Sequence, residues 1–330
     1  MTTRERLAGT LLVVVSAACF GSGGTAAKAS LAAGLGPMDV VRARVAVSAV
    51  VLAVVVAVLR LGALRIRREQ LPMLLAYGLL AFCLVQTLYV LALSRLPVAV
   101  ALLLEYLAPV LVVLWVRVVR GSRLPHSTWL GAVLALAGLA MVVQVWRGFR
   151  LDGLGLLIGL GSACALASYF LLSERGLEEH DPLGLVAWGA VIGVLPLALL
   201  GSWRFPFGAL GTPVRVGGGT LPAWAPLLWL ALVSTTLAYL AGVAALRHLP
   251  APAVSVLSMI EVLVAAGVAW ALLGESLTPV QLVGGAVLLA GVVVVQLRRP
   301  AGLAPVTPPG RRSRRAGRRS STRAGRAGPG

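Results

Sequence analysis

Long apolar runs, each about the length of a membrane-crossing helix, alternate along the chain with short polar breaks. Crossing the hydrocarbon takes about 20 apolar residues as a helix, and lipid offers backbone groups no partner outside the protein. Ten runs meet that length, at 8–28, 38–59, 71–93, 98–119, 127–146, 153–173, 183–201, 223–245, 251–273 and 278–297. The breaks carry Pro, Gly or charge, as in GLGPMD, RGSRLPHS, ERGLEEHDP, the Gly-rich GTPVRVGGGTLP and GESLTP. The pattern predicts an all-α integral membrane protein with ten transmembrane helices. The runs are rich in Gly and Ala, which lets helices approach closely in lipid. Such surfaces serve packing within one chain or pairing with a second copy equally well, so a homodimer stays open.

The polar breaks also orient the chain. With the N-terminus inside, thirteen arginines fall on the inner side and five on the outer, before the distal tail is counted. Basic residues favour the cytoplasmic side, so both termini are expected in the cytoplasm of a multi-pass plasma-membrane protein. The N-terminal MTTRERLAGTLLVVVSAACFGSG has the basic start, apolar stretch and small residues of a signal peptide. Ser16 stands where a lipoprotein cleavage box carries a bulky aliphatic, and equally apolar runs follow, so the segment reads as an uncleaved first span.

The apolar pattern repeats. Residues 92–143 align without gaps to 245–296, an offset of 153, with 12 identities in 52 positions. ALSRLP meets ALRHLP, Gly121 meets Gly274, Gly131 meets Gly284, and LAG at 136–138 meets LAG at 289–291. Upstream, Ala18 and Cys19 meet Ala163 and Cys164, and Pro37 meets Pro182. This divides the chain into a first repeat at 1–150 and a second at 151–297, five spans each. Five is odd, so the second repeat is expected upside down relative to the first. Its loop charges agree: 117–126 is basic, while its partner at 273–278 has no basic residue. Inverted repeats of this kind are common among secondary transporters, with a site near mid-membrane at the repeat interface.

Composition sharpens the class. Of 330 residues, 59% are hydrophobic and 12% charged, with mean hydropathy +0.94, against about a quarter charged in soluble domains. The net charge of +18 is concentrated in 298–330, which holds ten arginines and no acid. That segment is Pro, Gly, Ser and Arg, and is expected to be a disordered cytoplasmic tail in contact with anionic lipid headgroups. No folded nucleic-acid module accompanies it. Cys19, Cys83 and Cys164 lie in apolar runs without metal-ligand or CxxC spacing, and read as small buried residues. His126, His180 and His248 read as loop residues, no catalytic motif is present, and the glycines build no phosphate loop. An enzyme is not expected, nor a cofactor.

The candidate chemistry is a pair of acids in apolar runs. Glu105 lies in LLLEYLAP, about 12 Å into the fourth span at 1.5 Å per residue. Glu261 lies about 15 Å into the ninth. A charge at mid-membrane costs about 2.5–3.5 kcal/mol on insertion scales, and usually faces a cavity or partner. Under the repeat, Glu105 aligns with Ser258 and Glu261 with Ala108, one helical turn apart. One or both acids are candidates to bind a substrate ammonium or carry a coupling proton; the alternative is a neutral or Arg-paired Glu that holds helices together. Arg44, a third of the way into the second span, is the candidate to pair with Glu105 or grip a carboxylate, while Arg42 snorkels; interface snorkelling of both is the alternative. Gln86 and Tyr89 share a helix face, and with Tyr169, Tyr239, Ser234, Thr235 and Thr236 are candidate cavity-lining hydrogen bonders. Tyr and Trp also gather in interface belts, the reading adopted for Trp188.

In order and duplication these segments resemble the drug/metabolite transporter superfamily in its ten-helix EamA-type form. The matching residues are ACFGSGGTAAK at 18–28, RARVAVSA at 42–49, LYVLALSRLPVAVALLLEYLAPV at 88–110, and LRHLPAPAVSVLSMIEVLVAAGVAWALLGESLT at 246–278. The resemblance spans roughly 8–297. It implies transport of a small-molecule metabolite or drug, often outward and proton-coupled, and LLLEYLAP is similar to the corresponding helix of amino-acid exporters. Val262 follows Glu261 where the family usually has Pro, which leaves a helix break there open. The expected function is export of small metabolites such as amino acids; multidrug efflux and a non-transporting membrane scaffold are the alternatives.

Overall fold

The computed structural model of the protein describes residues 3–59, 66–93, 95, 101, 104–121, 124–144, 146, 152–199, 205–273 and 278–297. The basic tail at 298–330 and the 274–277 link lie outside them. The chain is a bundle of helices: α1 (Thr3–Ala32), α2 (Pro37–Leu59), α3 (Leu71–Tyr77), α4 (Val85–Leu93), α5 (Ala108–Val118), α6 (His126–Val143), α7 (Gly153–Gly176), α8 (Pro182–Leu199), α9 (Trp224–Ala231), α10 (Ala238–Ala245), α11 (Ala251–Leu257), α12 (Ile260–Leu273) and α13 (Pro279–Leu297). Among the described residues six helical stretches are long and apolar enough to cross a membrane, and four shorter apolar helices accompany them. The protein is thus an all-α, multi-pass membrane protein.

The apolar faces divide between lipid and bundle. On α2, Val50, Val54 and Val58 point outward one turn apart, while Val41, Val45, Leu52 and Val56 are buried. Period 3.6 puts each set on its own stripe; both are apolar, as a helix between protein and lipid requires. Cys19 and Cys83 are buried, but Cys164 is exposed. It sits on the outward stripe of α7, so the expectation of three buried thiols fails there. Trp188 is not a belt residue either. It packs against the central core, and its indole nitrogen is buried without a partner among the described residues. His126 opens α6 rather than lying in a loop.

Several helices depart from regularity. α3 and α4 are joined by a π-helical stretch, Gly78–Leu84, and α9 and α10 by another, Leu232–Leu237. A two-residue turn at 106–107 precedes α5, and another at 258–259 separates α11 from α12. The segment expected only as a Gly-rich break forms a small hairpin, β1 (Pro213–Val216) with β2 (Gly219–Pro222), in antiparallel register with Val216 opposite Gly219. Gly217, at φ +62°, makes its two-residue turn, where a positive φ matches the strand twist.

The helices pack in a reciprocal pattern. α1 lies against α9, α10 and α12, and α7 against α4 and α5. α2 packs on α8, and α6 on α13. The α6–α13 contact is made through glycines. A Cβ on Gly138 would lie 2.6 Å from the Gly284 carbonyl oxygen, and one on Gly291 2.7 Å from that of Gly131. Rising numbers on α6 meet falling numbers on α13, so the two run antiparallel.

Polar contacts tie the bundle at both ends. At one end Glu174, closing α7, takes Arg120 in an ion pair and accepts from the Ala251 N–H at 2.9 Å. At the other, Gln144 caps α6 in the left-handed region, φ 53°, and its Nε2 donates to Thr278 Oγ1 at 2.6 Å. At that end too, Asp152 caps α7. Its Oδ1 accepts from the Leu154 and Gly155 N–H groups, and Arg95 bonds its Oδ2 at 3.1 Å. The Gly155 N–H and the Arg95 guanidinium hold the Asp152 carboxyl below its ordinary value of 3.8. A lowered pKa means the carboxylate stabilises the fold above the ordinary aspartate range and stops doing so as pH falls through the lowered value. Asp152→Ala should therefore melt below wild type at neutral pH, and the gap should close on acidification below pH 3.8; a gap constant with pH would contradict this.

Candidate functional site

Each irregularity in the bundle changes what a backbone group can bond. In a regular helix the Val85 N–H would reach the Ala81 carbonyl. In the π-helical stretch it reaches Leu80 instead, which frees the Ala81 oxygen. The Tyr239 hydroxyl donates to that oxygen at 2.9 Å. In the second stretch the Ala238 N–H bonds the Val233 and Thr235 carbonyls and passes over Ser234. The Ser234 oxygen accepts from Arg44 Nη2 at 3.4 Å. π-Helical turns are rare and favour functional sites; here both supply acceptors to polar side chains inside the bundle.

The turns do the same for the acids. The turn at 106–107 follows Glu105 directly, and the turn at 258–259 puts Glu261 in the first turn of α12. A carboxylate in the first turn of a helix meets a favourable dipole. Pro109 explains the first turn, because it lacks the N–H that would bond the Glu105 carbonyl. The second forms with Val262 in place of the expected Pro. There the Ser258 hydroxyl bonds back to the Val254 carbonyl at 2.9 Å, a contact that bends helices.

These elements border a cavity of about 260 Å³, just below the roughly 300–1,000 Å³ typical of ligand pockets. Eight of the ten sequence candidates line it, Glu105, Glu261, Arg44, Gln86, Tyr89, Tyr169, Tyr239 and Ser234, whereas Thr235 and Thr236 lie behind the lining. Glu105 is 9% exposed and accepts from the Ser162 hydroxyl at 3.2 Å. The Tyr106 phenol lies beside the Glu261 carboxyl. Gln86 Nε2 donates to the Tyr239 hydroxyl at 3.2 Å. Phe82 stacks on Tyr239 with centroids 4.2 Å apart, and Tyr169 meets Tyr239 edge-on at 5.2 Å.

Arg44 differs from the expectation of a Glu105 partner. Among the described residues no carboxylate lies within ion-pair distance of it; Arg42 pairs with Asp39 instead, at 3.7 Å. Arg44 Nε donates to Thr235 Oγ1 at 2.9 Å. Two hydroxyls hold the bulge itself: Thr235 bonds the Leu230 carbonyl and Thr236 the Ala231 carbonyl, each five residues back. Sequence reasoning did not single out Tyr106, Ser162, Ser258 or Phe20. Tyr106 and Ser258 carried a readable signal, one as neighbour of Glu105 and the other as its repeat partner. Ser162 and Phe20 carried none. Lys28 lines the cavity too. Among the described residues no group of three or more His, Cys, Asp or Glu is gathered to hold a metal.

A bundle of apolar helices around a cavity with both signs of charge and hydroxyl donors fits a protein that passes a small molecule through a membrane: a membrane transporter, not an enzyme. The chain belongs to the EamA-like transporter family, which matches residues 7–144 and again 153–297, within the drug/metabolite transporter superfamily. It is 31% identical to the threonine/homoserine exporter RhtA of Escherichia coli (strain K12) over 287 residues, 86% of this chain and 89% of that protein. An uncharacterized transporter of Archaeoglobus fulgidus is 29% identical over 209 residues, 62% of this chain and 70% of the other. A solved crystal structure of a protein superposes with a TM-score of 0.70 over 88% of this chain and 96% of that one, at 19% identity, which bears on the fold alone.

Proposed function

We propose that the protein is a proton-coupled secondary transporter that exports small amino acids by alternating access of two inverted repeats. The repeats are residues 1–150 and 151–297, five spans each, with both termini in the cytoplasm. Several features support the inversion. The residues freed by the π-helical turns, Ala81 and Ser234, stand 153 apart, the offset of the sequence repeat. Gln86 and Tyr239 stand at the same offset and hydrogen-bond to each other, as partners across a two-fold axis would. The reciprocal glycine contacts of α6 and α13 also exchange under that shift, and antiparallel partners require the axis to lie in the membrane plane.

The observation that carries the functional reading is the cavity, where Glu105 and Glu261 face Arg44. A zwitterionic amino acid presents an ammonium and a carboxylate. The acids suit the first and the guanidinium fork suits the second. The small volume favours a short side chain. A relative named as a threonine/homoserine exporter points the same way. The aromatic lining would suit lipophilic cations, but a half-buried cation with no carboxylate paired to it among the described residues opposes them, which ranks multidrug efflux second.

Purified protein in liposomes should move radiolabelled L-threonine or L-homoserine when a pH gradient is imposed. Absence of flux for these and for a panel of other amino acids would remove the amino-acid reading. Resistance to lipophilic cations on expression, with amino-acid sensitivity unchanged, would promote the efflux reading in its place.

A further inference from the structure

Within the amino-acid reading of the cavity, on which this step rests, we infer that Thr235 is the positioning residue that aims Arg44 at the substrate carboxylate and so selects substrates that carry one. Thr235 is fully buried and Ser234 nearly so. The Thr235 hydroxyl has one proton, which goes to the Leu230 carbonyl at 2.8 Å. That leaves an oxygen lone pair, which Arg44 Nε occupies at 2.9 Å. The Ser234 carbonyl, left free by the π-helical turn, takes Nη2 at 3.4 Å. A guanidinium has five N–H donors in a rigid planar fork. Two are held from behind by uncharged groups. The plane of the fork is thereby fixed, and donors remain for the cavity that Arg44 lines.

The uncharged character of the anchors matters. Had a carboxylate held Arg44, its charge would already be answered and little would remain for a ligand. A hydroxyl and a carbonyl orient the cation without neutralising it. Without the hydroxyl, the guanidinium loses the contact that fixes its plane, and its remaining donors no longer converge on one point of the cavity. The π-helical turn is required because a regular helix would have bonded the Ser234 carbonyl internally.

The test compares Thr235→Val, which keeps shape and loses the hydroxyl, with Thr235→Ser, which keeps the hydroxyl. In proteoliposomes Thr235→Val should raise KM for L-threonine by at least about tenfold, the effect of losing one hydrogen bond to a charged group. The inhibition constant of L-threoninamide, which has the ammonium but no carboxylate, should stay within about twofold, and Thr235→Ser should restore KM. Equal weakening toward both compounds, an unchanged KM in Thr235→Val, or failure of Thr235→Ser to rescue a folded protein would overturn the inference. If wild type moves no amino acid, the substrate reading fails on its own. Thr235 is then judged by phenylglyoxal modification of Arg44, read by peptide mass spectrometry. Propionate should slow that reaction in wild type and Thr235→Ser but not in Thr235→Val; any other pattern rejects the role of Thr235.

Discussion

Glu105→Gln is expected to lower pH-driven amino-acid flux by about 10- to 150-fold, the range set by about 1.5–3 kcal/mol for a hydrogen bond to a charged group. The substitution is close to isosteric. Gln keeps an oxygen for the Ser162 hydroxyl, which bonds Glu105 at 3.2 Å, so the fold should survive. What is lost is the negative charge and the site for a proton. Exchange of labelled for unlabelled substrate without a gradient separates these two roles. If Glu105 only carries the proton, exchange persists while uphill transport disappears. If it holds the ammonium, both fall and KM rises. Flux within about twofold of wild type, in a protein that still melts cooperatively, would return Glu105 to a helix-tethering part.

Glu105 was legible in the sequence because a carboxyl in an apolar run stands out, and so were Glu261, Arg44 and Gln86. The apolar helices were legible because lipid forces a length on them. What pattern could not supply was local register. GLLAFCL and LVSTTL read as ordinary helix, because a π-helical turn is selected by what its freed carbonyl meets across the bundle. For Ala81 that is Tyr239, for Ser234 it is Arg44, and both partners are far away in sequence. The same gap hid the partners of Arg44. Charge logic offered it Glu105 or a ligand carboxylate, whereas its bonds within the bundle go to a hydroxyl and a carbonyl. The turn before Glu261 was hidden because its usual marker, a following Pro, is Val262 here. Ser258, which bends that segment, is a poor signal among many serines. Cys164 failed differently: in lipid an apolar run says nothing about which of its faces looks inward.

Gly138→Ala and Gly291→Ala are each expected to destabilise the protein by about 1–3 kcal/mol, the cost of overpacking a tight contact, and by similar amounts. In water-soluble cores a flexible side chain can retreat from one added methyl. Here the obstacle is backbone: a Cβ on Gly138 lies 2.6 Å from the Gly284 oxygen, and one on Gly291 2.5 Å from the Ala135 nitrogen. Neither can give way unless α6 and α13 move apart. In lipid no hydrophobic force draws the helices back together, since tails are as apolar as the side chains, and close packing is most of what holds them. Gly24→Ala is the control, because a Cβ there meets nothing within 4 Å, and it should leave the melting temperature unchanged. The equality of the first two effects is the informative part. Under a two-fold relation the two glycines make the same contact seen from opposite sides, so each substitution breaks the same interface. Thermal melts in detergent that show one variant tolerated and the other severely destabilised would speak against that relation, and with it against the exchange of repeat conformations on which alternating access depends.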